Sequence, residues 1–409
     1  MKKSISLLLV LCLLFSLTAC GGSDNAPAPA PAPSPTPAPS PSPAPSPAPA
    51  PSPETPETPE APTGSLSMQQ KLGGGTAGYV EDGGDHWSRP PYNIVYFNFR
   101  PTNVTQQVTL ALQQLGEKYN FSIEQLTANS DSDAYLNNLQ TILLKEPDGL
   151  IVDITQELAP RVSEICRDYD TPVICIFNKA VDTEGVEIIP AVITDQAYNG
   201  RTQMNYLHDN YKNFWGDIDP KEINLLLLDW SQNMDINARS VGAEERWKEL
   251  YPGQAYYYGD TGSDALSAES GFNVANGILS AHPEVKYWFI VSSVEDIALG
   301  ATRAIEQLGL DDRVLMTASG AAILPGEWDK GYEGAWIANY AVPPFLYAGT
   351  STFGLFALIE GRATNTTLWP DSFLPGDKAP RLSLEAEMMN KENYVDYIGD
   401  IMRSFGIEP

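Results

Sequence analysis

From residue 92 onward the sequence alternates short apolar runs with amphipathic stretches, and this alternation limits the fold more than any other feature. Short apolar runs between polar residues predict buried strands, and apolar residues spaced three or four apart predict helices. The predicted strands lie at 93–99, 122–126, 149–154, 173–177, 223–228, 254–258, 286–291 and 314–317. The predicted helices lie at 105–119, 132–145, 158–168, 239–250, 268–281 and 297–308.

Strands that alternate with helices form parallel sheets covered by helices on both faces. The pattern is interrupted at 193–200, and the blocks on either side of this break are comparable. The strands are too numerous for one small sheet. The sequence therefore predicts an α/β protein with two doubly wound, Rossmann-like lobes.

The N-terminal segment resembles the export signal of bacterial lipoproteins. Lys2 and Lys3 precede an apolar run at 5–17 that is too short to span a bilayer. Leu17-Thr18-Ala19-Cys20-Gly21 then fits the lipobox at every position, and in lipoproteins this cysteine is lipidated. The alternative is a cysteine that stands beside an ordinary cleavage site by chance. We expect a signal peptide at 1–19 and a lipid anchor on Cys20 that holds the protein on the extracytoplasmic face of the membrane.

Proline alternates with Ala, Ser and Thr at 26–62. Proline lacks the N–H that strands and helices need, so this segment predicts an extended spacer of about 3.1 Å per residue, on the order of 100 Å in all. We interpret 20–63 as a lipidated cysteine and a stalk, followed by an N-terminal extension at 64–91. The alternative is a ligand for modules that bind proline-rich segments.

The chain is strongly acidic, with 25 basic and 52 acidic residues and a net charge of −27. Such a surface repels nucleic acid, so no nucleic-acid partner is expected.

Two cysteines, Cys166 and Cys175, remain in the exported part of the chain beyond Cys20. They could pair, but their core-like surroundings favour two buried free thiols.

Open parallel sheets bind ligands beyond the carboxyl ends of their strands. The residues at or after the predicted strand ends are mostly polar or aromatic: Asn98, Phe99, Arg100, Asp153, Asn178, Asp229, Trp230, Ser292, Ser293, Ser319 and Gly320. Strand ends are often polar because they meet loops. That reading explains Arg100 and Trp230 less well, since each directly follows an apolar strand.

Several segments share their order and spacing with one protein family. They are 148–152 (DGLIV), 171–178 (TPVICIFN), 192–195 (VITD) with Gly200, 238–242 (ARSVG), 295–301 (EDIALGA) and 390–394 (NKENY). From about residue 92 to its C-terminus the chain resembles the type I periplasmic binding proteins of the ribose- and galactose-binding group, which serve ABC sugar importers. The resemblance implies two lobes joined by a three-strand hinge and a ligand enclosed between them. It divides the chain into an N-terminal lobe at 92–195 with 340–372 and a C-terminal lobe at 196–339 with 373–409.

The resemblance also implies ligand-contacting positions. Arg239 matches the family's binding arginine, whose guanidinium donates parallel hydrogen bonds; a surface ion pair at the start of a helix is the alternative. Asn339 matches the family's polar position beside the second crossover, with Tyr340 next to it, and 98–103 matches the first ligand-contacting loop. The candidate ligand-binding residues are Asn98, Phe99, Arg100, Asn103, Asp153, Asn178, Asp195, Trp230, Arg239, Ser293, Glu295, Ser319, Asn339 and Tyr340.

The sequence departs from the family pattern at three of these places. Asn178-Lys179 stands where the family has Asp-Arg, and Ser293-Val294-Glu295 where it has Asn-Asp. Thr317-Ala318-Ser319-Gly320 stands where it has Gly-Phe-Asp-Gly. A scaffold that is kept while its contacts change indicates a ligand other than ribose or galactose.

Catalytic and metal-binding motifs are not evident. The three histidines, His86, His208 and His282, have no metal-ligand spacing, and no nucleophile elbow occurs. We therefore expect no enzyme activity, no cofactor and no metal.

Two functions remain open. The first is a monomeric receptor that captures a sugar-like solute and delivers it to the permease and ATPase subunits of an ABC importer. The second is a sensory component that signals to a chemoreceptor or a sensor kinase without transport.

Overall fold

The computed structural model describes residues 85–262 and 266–409. The expected signal peptide, Cys20, the stalk and most of the N-terminal extension lie outside the described residues. In the part that is described, no helix has the length and apolar character needed to span a membrane.

The elements follow one another in an alternating order. The strands are β1 (Tyr92–Asn98), β2 (Phe121–Thr127), β3 (Gly149–Asp153), β4 (Val173–Ile176), β5 (Ala191–Ile193), β6 (Ile223–Asp229), β7 (Tyr256–Asp260), β8 (Tyr287–Ser292), β9 (Val314–Ser319), β10 (Trp336–Ala341), β11 (Arg381–Ser383) and β12 (Glu387–Asn390). The helices are α1 (Asn103–Tyr119), α2 (Ser132–Leu143), α3 (Ala159–Asp168), α4 (Gln196–Trp215), α5 (Met234–Leu250), α6 (Ala268–Ala281), α7 (Glu295–Leu308), α8 (Leu324–Asp329), α9 (Pro344–Ile359) and α10 (Tyr394–Ser404).

Two sheets of six strands form the two lobes. The first has the order β11-β5-β4-β3-β1-β2 with every pair parallel, and the second has the order β12-β10-β9-β8-β6-β7. Among the described strands of the second sheet, only β12 runs antiparallel to its neighbour. The strand order reverses between β1 and β3 and again between β6 and β8, so each lobe is doubly wound. This confirms the predicted fold class.

Apolar side chains on both faces of each sheet hold the helices in place. On β1, Ile94 and Tyr96 belong to the core beneath α1 and α9, whereas Val95 and Phe97 belong to the core beneath α2 and α3. This two-sided burial explains the near-continuous apolar runs in the sequence. The second lobe repeats the arrangement with two cores of its own.

The chain crosses between the lobes three times, which agrees with the three-strand hinge. It crosses between Ile193 and Gln196, between Ala341 and Pro344, and between Ser383 and Glu387.

Part of the interval 373–409 departs from its expected place in the C-terminal lobe, whereas β12 within it pairs with β10 of the second sheet. Strand β11 pairs with β5 of the first sheet, and Ile401 of α10 and the following Phe405 pack in the first lobe's core. The physical reason is that β11 has only three residues, too few for a sequence pattern to assign it to a sheet.

Cys166 and Cys175 are buried free thiols.

Candidate ligand-binding cleft

A cavity of about 140 Å³ lies between the lobes, where the carboxyl ends of both sheets meet. In the first lobe its lining comes from the segments that follow β1, β3 and β4, together with α1 and α9. In the second lobe it comes from the segments that follow β6, β8 and β9. We call this cavity the cleft. Its position is the one that the strand-order reversal of each sheet predicts.

The first lobe places Arg100, Asp153 and Asn178 together in the cleft. Each directly follows or ends a neighbouring strand, so the parallel sheet brings them to one edge. The Asn178 Nδ2 donates a hydrogen bond of 2.9 Å to Asp153 Oδ1. Burial raises the pKa of Asp153 to about 7, although the nearby Arg100 guanidinium and the Asn178 amide oppose this rise.

The second lobe holds the Arg239 guanidinium by two hydrogen bonds. Helix α5 begins at Met234 because the Asn233 side chain caps it, accepting from the backbone N–H of Asp235 and Ile236. The Arg239 Nε donates to Gln196 Oε1 at 2.6 Å, and Nη1 donates to the Ser293 carbonyl at 2.6 Å. Burial lowers the pKa of Arg239. Neither hydrogen-bond partner is a carboxylate, although the nearby Asp235 and Asp229 carboxylates oppose this lowering of the pKa.

Close helix packing fixes the backbone on which Arg239 stands. A Cβ atom on Gly200 of α4 would lie 1.8 Å from the Arg239 carbonyl oxygen, and one on Gly242 would lie 2.1 Å from the Ala197 carbonyl oxygen. Only glycine permits such an approach of two helix backbones.

Glu295 lines the cleft and binds the backbone of the loop that follows β9. Its carboxylate accepts from the backbone N–H groups of Ala322, Ile323 and Leu324 and from the Asn339 Nδ2 at 2.8 Å. Burial raises the pKa of Glu295 to about 7 although these backbone N–H groups favour the ionised form. The adjacent Gly320 has φ +138°, and a Cβ there would lie 2.5 Å from Glu295 Oε2. The carboxylate therefore fixes the loop that follows β9.

Four aromatic side chains contribute apolar surface to the cleft. They are Phe99, Phe177, Trp230 and Tyr347. Phe177 has φ +72°, which is rare for a bulky side chain, and its ring packs at 4.5 Å from that of Tyr347. Strained backbone of this kind is found at ligand sites.

Of the candidate residues, the structure brings eight into the lining of the cleft. They are Phe99, Arg100, Asp153, Asn178, Trp230, Arg239, Glu295 and Ser319. Ser319 Oγ accepts from Asn199 Nδ2 at 2.7 Å, so part of its hydrogen-bonding capacity is already used.

The other six candidates lie outside the lining: Asn98, Asn103, Asp195, Ser293, Asn339 and Tyr340. Asn98 is fully buried at the end of β1, with no partner for either amide atom among the described residues. Asp195 is exposed and caps α4. Asn103 lies at the rim and donates to Asp296.

The remaining three residues have structural roles. Asn339 accepts from Ala318 N and Trp336 Nε1 and donates to Glu295 and Gly320, so its amide has no capacity left for a ligand. Ser293 contributes its carbonyl to Arg239. Tyr340 is a core residue, only 2% exposed.

Sequence reasoning missed several lining residues, among them Gln196, Asp235, Asp296 and Tyr347. Asp235 was detectable, because Asn233 is a strong helix cap and the helix therefore begins before residue 239. Asp296 follows Glu295 directly and was overlooked in the same segment. Tyr347 lies on α9, a helix apolar all round that periodicity does not reveal.

The cleft combines donors, acceptors and aromatic faces in a small volume. Guanidinium and amide groups donate, buried carboxylates accept, and rings cover the apolar side. This set suits a small molecule with several hydroxyl groups and an apolar face. Among residues 85–262 and 266–409 no cluster of three or more His, Cys, Asp or Glu side chains could hold a metal ion.

The chain is similar to known proteins in sequence and in fold. The family described as "periplasmic binding protein domain" matches residues 90–331. The L-arabinose-binding periplasmic protein of Escherichia coli (strain K12) is 25% identical over 242 residues, covering 52% of this chain and 72% of that protein. The ABC transporter L-arabinose-binding periplasmic protein of Azospirillum brasilense is 22% identical over 267 residues, covering 62% of this chain and 76% of that protein.

Solved structures share the fold. An ABC transporter periplasmic solute binding protein from Actinobacillus succinogenes 130z with bound D-allose has a TM-score of 0.60 and 15% identity, covering 75% of this chain and 100% of that chain. A solute binding protein from Bacillus halodurans C-125 with bound myo-inositol has a TM-score of 0.58 and 16% identity, covering 76% and 98%.

Proposed function

The chain belongs to the periplasmic binding protein domain family, and on this basis we propose that it is an extracytoplasmic receptor for a monosaccharide or a similar polyol. The ligand binds in the cleft and is enclosed when the lobes close. The Arg239 guanidinium, held between Gln196 and the Ser293 carbonyl, is the observation that carries the proposal. It offers fixed donors to vicinal hydroxyl groups.

The size of the cleft limits the ligand to one ring. Its volume of about 140 Å³ is close to that of an engineered 150 Å³ cavity that binds benzene. A molecule with one six-membered ring suits such a space, and a disaccharide exceeds it. Two structural neighbours contain bound ligands with a single ring, D-allose and myo-inositol.

Delivery to an ABC importer is the cellular role that we propose. The relative from Azospirillum brasilense is named as an ABC transporter component, and the sequence from Lys2 to Gly21 resembles a lipoprotein signal. The protein then acts as a lipid-anchored monomer that docks, closed and loaded, on permease subunits. The second candidate, a sensor without transport, uses the same cleft. Neighbouring permease and ATPase genes favour transport, and neighbouring receptor genes favour sensing.

A thermal-shift screen over pentoses, hexoses and polyols tests the binding proposal. A true ligand stabilises the protein by about 2.7 kcal/mol at a hundredfold excess over its dissociation constant. A screen in which no sugar or polyol raises the melting temperature would reject the proposed ligand class.

The anchor is tested separately. Cys20→Ser is expected to release the protein from membranes, and continued retention would contradict lipidation.

A further inference from the structure

The lobes touch each other directly at the rim of the cleft. Asn103, the first residue of α1 in the first lobe, donates through Nδ2 to Asp296 Oδ1 of the second lobe at 2.6 Å. Asp296 stands in the first turn of α7. The donor lies outside the lining of the cleft, whereas the acceptor belongs to it.

A second contact has the same design. Gln156 of the first lobe donates through Nε2 to Asp235 Oδ2 at 3.0 Å, and the Lys179 Nζ lies 3.8 Å from Asp235 Oδ1. Asp235 stands in the first turn of α5 and is only 7% exposed. Again both donors lie outside the lining, and the acceptor belongs to it.

Both acceptors stand in the first turn of a helix. Burial raises the pKa of Asp296, and the Asn103 amide and the residue's own backbone N–H oppose this rise. The first turn of a helix presents free N–H groups and the positive end of the helix dipole, which stabilise a carboxylate. Hydrogen bonds to a charged group are stronger than those between neutral groups. In each contact the first lobe supplies a neutral amide, and in one it adds an ammonium group.

We propose that these two contacts are latches that hold the lobes closed whatever the ligand is. Asn103, Gln156 and Lys179 would then determine affinity without reading the ligand's structure. The apparent dissociation constant of such a receptor rises as the closed fraction falls, by the same factor for every ligand. This inference rests on the proposed function only for its consequence on affinity, because the two contacts join the lobes directly through protein side chains.

A distance measurement on ligand-free protein tests the latches. Spin labels are placed on the full chain at Asp133→Cys in the first turn of α2 and Glu269→Cys in the first turn of α6, in a background that carries Cys12→Ser and Cys20→Ser. Both helices follow strands, so their first turns lie at the edge that faces the cleft. Cys166 and Cys175 are buried and stay unlabelled in the folded protein.

The variants are Asn103→Ala, the pair Gln156→Ala with Lys179→Ala, and all three together. Lys145→Ala is the matched control, because Lys145 pairs with Glu124 at 3.1 Å inside the first lobe alone. We expect the latch variants to move the label distances from the closed to a longer value, with the triple variant most open and the control unchanged. Identical distributions in all variants, whether all closed or all open, would overturn the proposal.

Affinity gives the second readout. For any two sugars that bind, each latch variant is expected to lower the affinity for both by about two- to tenfold. The ratio of the two affinities is expected to stay unchanged. A changed ratio would mean that these side chains read the ligand and are not latches. If no sugar binds, the proposed function fails while the distance measurement still decides the latches.

Discussion

The guanidinium carbon of Arg100 lies 4.3 Å from the centroid of the Trp230 ring, and the two residues belong to different lobes. Arg100 follows β1 of the first sheet, and Trp230 follows β6 of the second. A cation over an indole face is attracted by the ring quadrupole, and the attraction grows when the pair is shielded from water. Both residues line the cleft, so the contact joins the two lobes at the site where a ligand would be enclosed.

Replacement of Trp230 tests this relationship. Trp230→Ala is expected to weaken ligand binding about tenfold or more, since it removes both the ring face and the contact with Arg100. Trp230→Phe, which keeps a ring, is expected to lose less. Titration calorimetry gives the affinities, and Trp87→Ala is the control, because Trp87 is 67% exposed and outside the cleft. Equal losses for Trp87→Ala and Trp230→Ala would contradict the assignment.

Arg239 is expected to be the most sensitive donor in the cleft. Arg239→Lys keeps the charge but cannot span Gln196 and the Ser293 carbonyl, so a loss of about 10- to 100-fold in affinity is expected. Arg303→Ala is the matched control, since Arg303 pairs with Glu306 on the surface of α7. Unchanged affinity of Arg239→Lys, measured by calorimetry, would show that the guanidinium geometry does not matter.

Two glycines in one helix are expected to respond with opposite signs. A Cβ on Gly271 of α6 would lie 2.3 Å from the Ile297 carbonyl oxygen of α7, whereas a Cβ on the exposed Gly277 meets nothing within 4 Å. Gly271→Ala is expected to lower the free energy of unfolding by about 1–3 kcal/mol. Gly277→Ala is expected to raise it by about 0.5–1 kcal/mol. Urea denaturation measures both, and destabilisation by Gly277→Ala would contradict the packing described.

The free energy of unfolding is expected to fall as the pH rises from 3.8 to about 7, because Asp153 loses its proton at a higher pH in the folded protein than in the unfolded chain. Burial raises the pKa of this carboxyl from 3.8 to about 7 in the folded protein. The folded state therefore binds a proton that the unfolded state releases between these values, and the free energy of unfolding decreases over that window. Each unit of pKa shift corresponds to about 1.4 kcal/mol, so the effect amounts to a few kcal/mol.

The comparison of Asp153→Asn with the natural chain isolates this effect. The asparagine stays neutral, so the variant is expected to lose less stability than the natural chain between pH 5 and pH 8 in urea denaturation. Asp371→Asn, at an exposed position, serves as the control. Parallel pH profiles for Asp153→Asn and the natural chain would show that Asp153 is not the group responsible.

The sequence carried enough information for the family, the two-lobed fold and the order of most elements, and these predictions are confirmed. Strong apolar runs such as the one in β6 leave little choice of element. Helix α4 was missed because it is rich in Tyr, Asn and Gln, and α9 because its apolar residues have no polar face. The start of α5 was placed five residues late because the Asn233 cap was overlooked.

Site residues were harder to identify because they depend on which way a side chain points. Asp195 and Gln196 are neighbours in the sequence, yet the first caps α4 at the surface and the second holds Arg239. Asn339 matches a family position, but Glu295 and nearby backbone groups take up the hydrogen-bonding capacity of its amide. Hydrogen-bond partners distant in sequence decide these roles, and one sequence does not display them.

The most direct test of the account is a crystal structure of the protein with the sugar or polyol that stabilises it most in the thermal-shift screen. We expect one ligand molecule in the cleft, with hydroxyl groups on the Arg239 guanidinium and the Asp153 carboxylate and an apolar face against Trp230. A stabilising ligand bound anywhere else on the protein, with the cleft empty, would contradict the account.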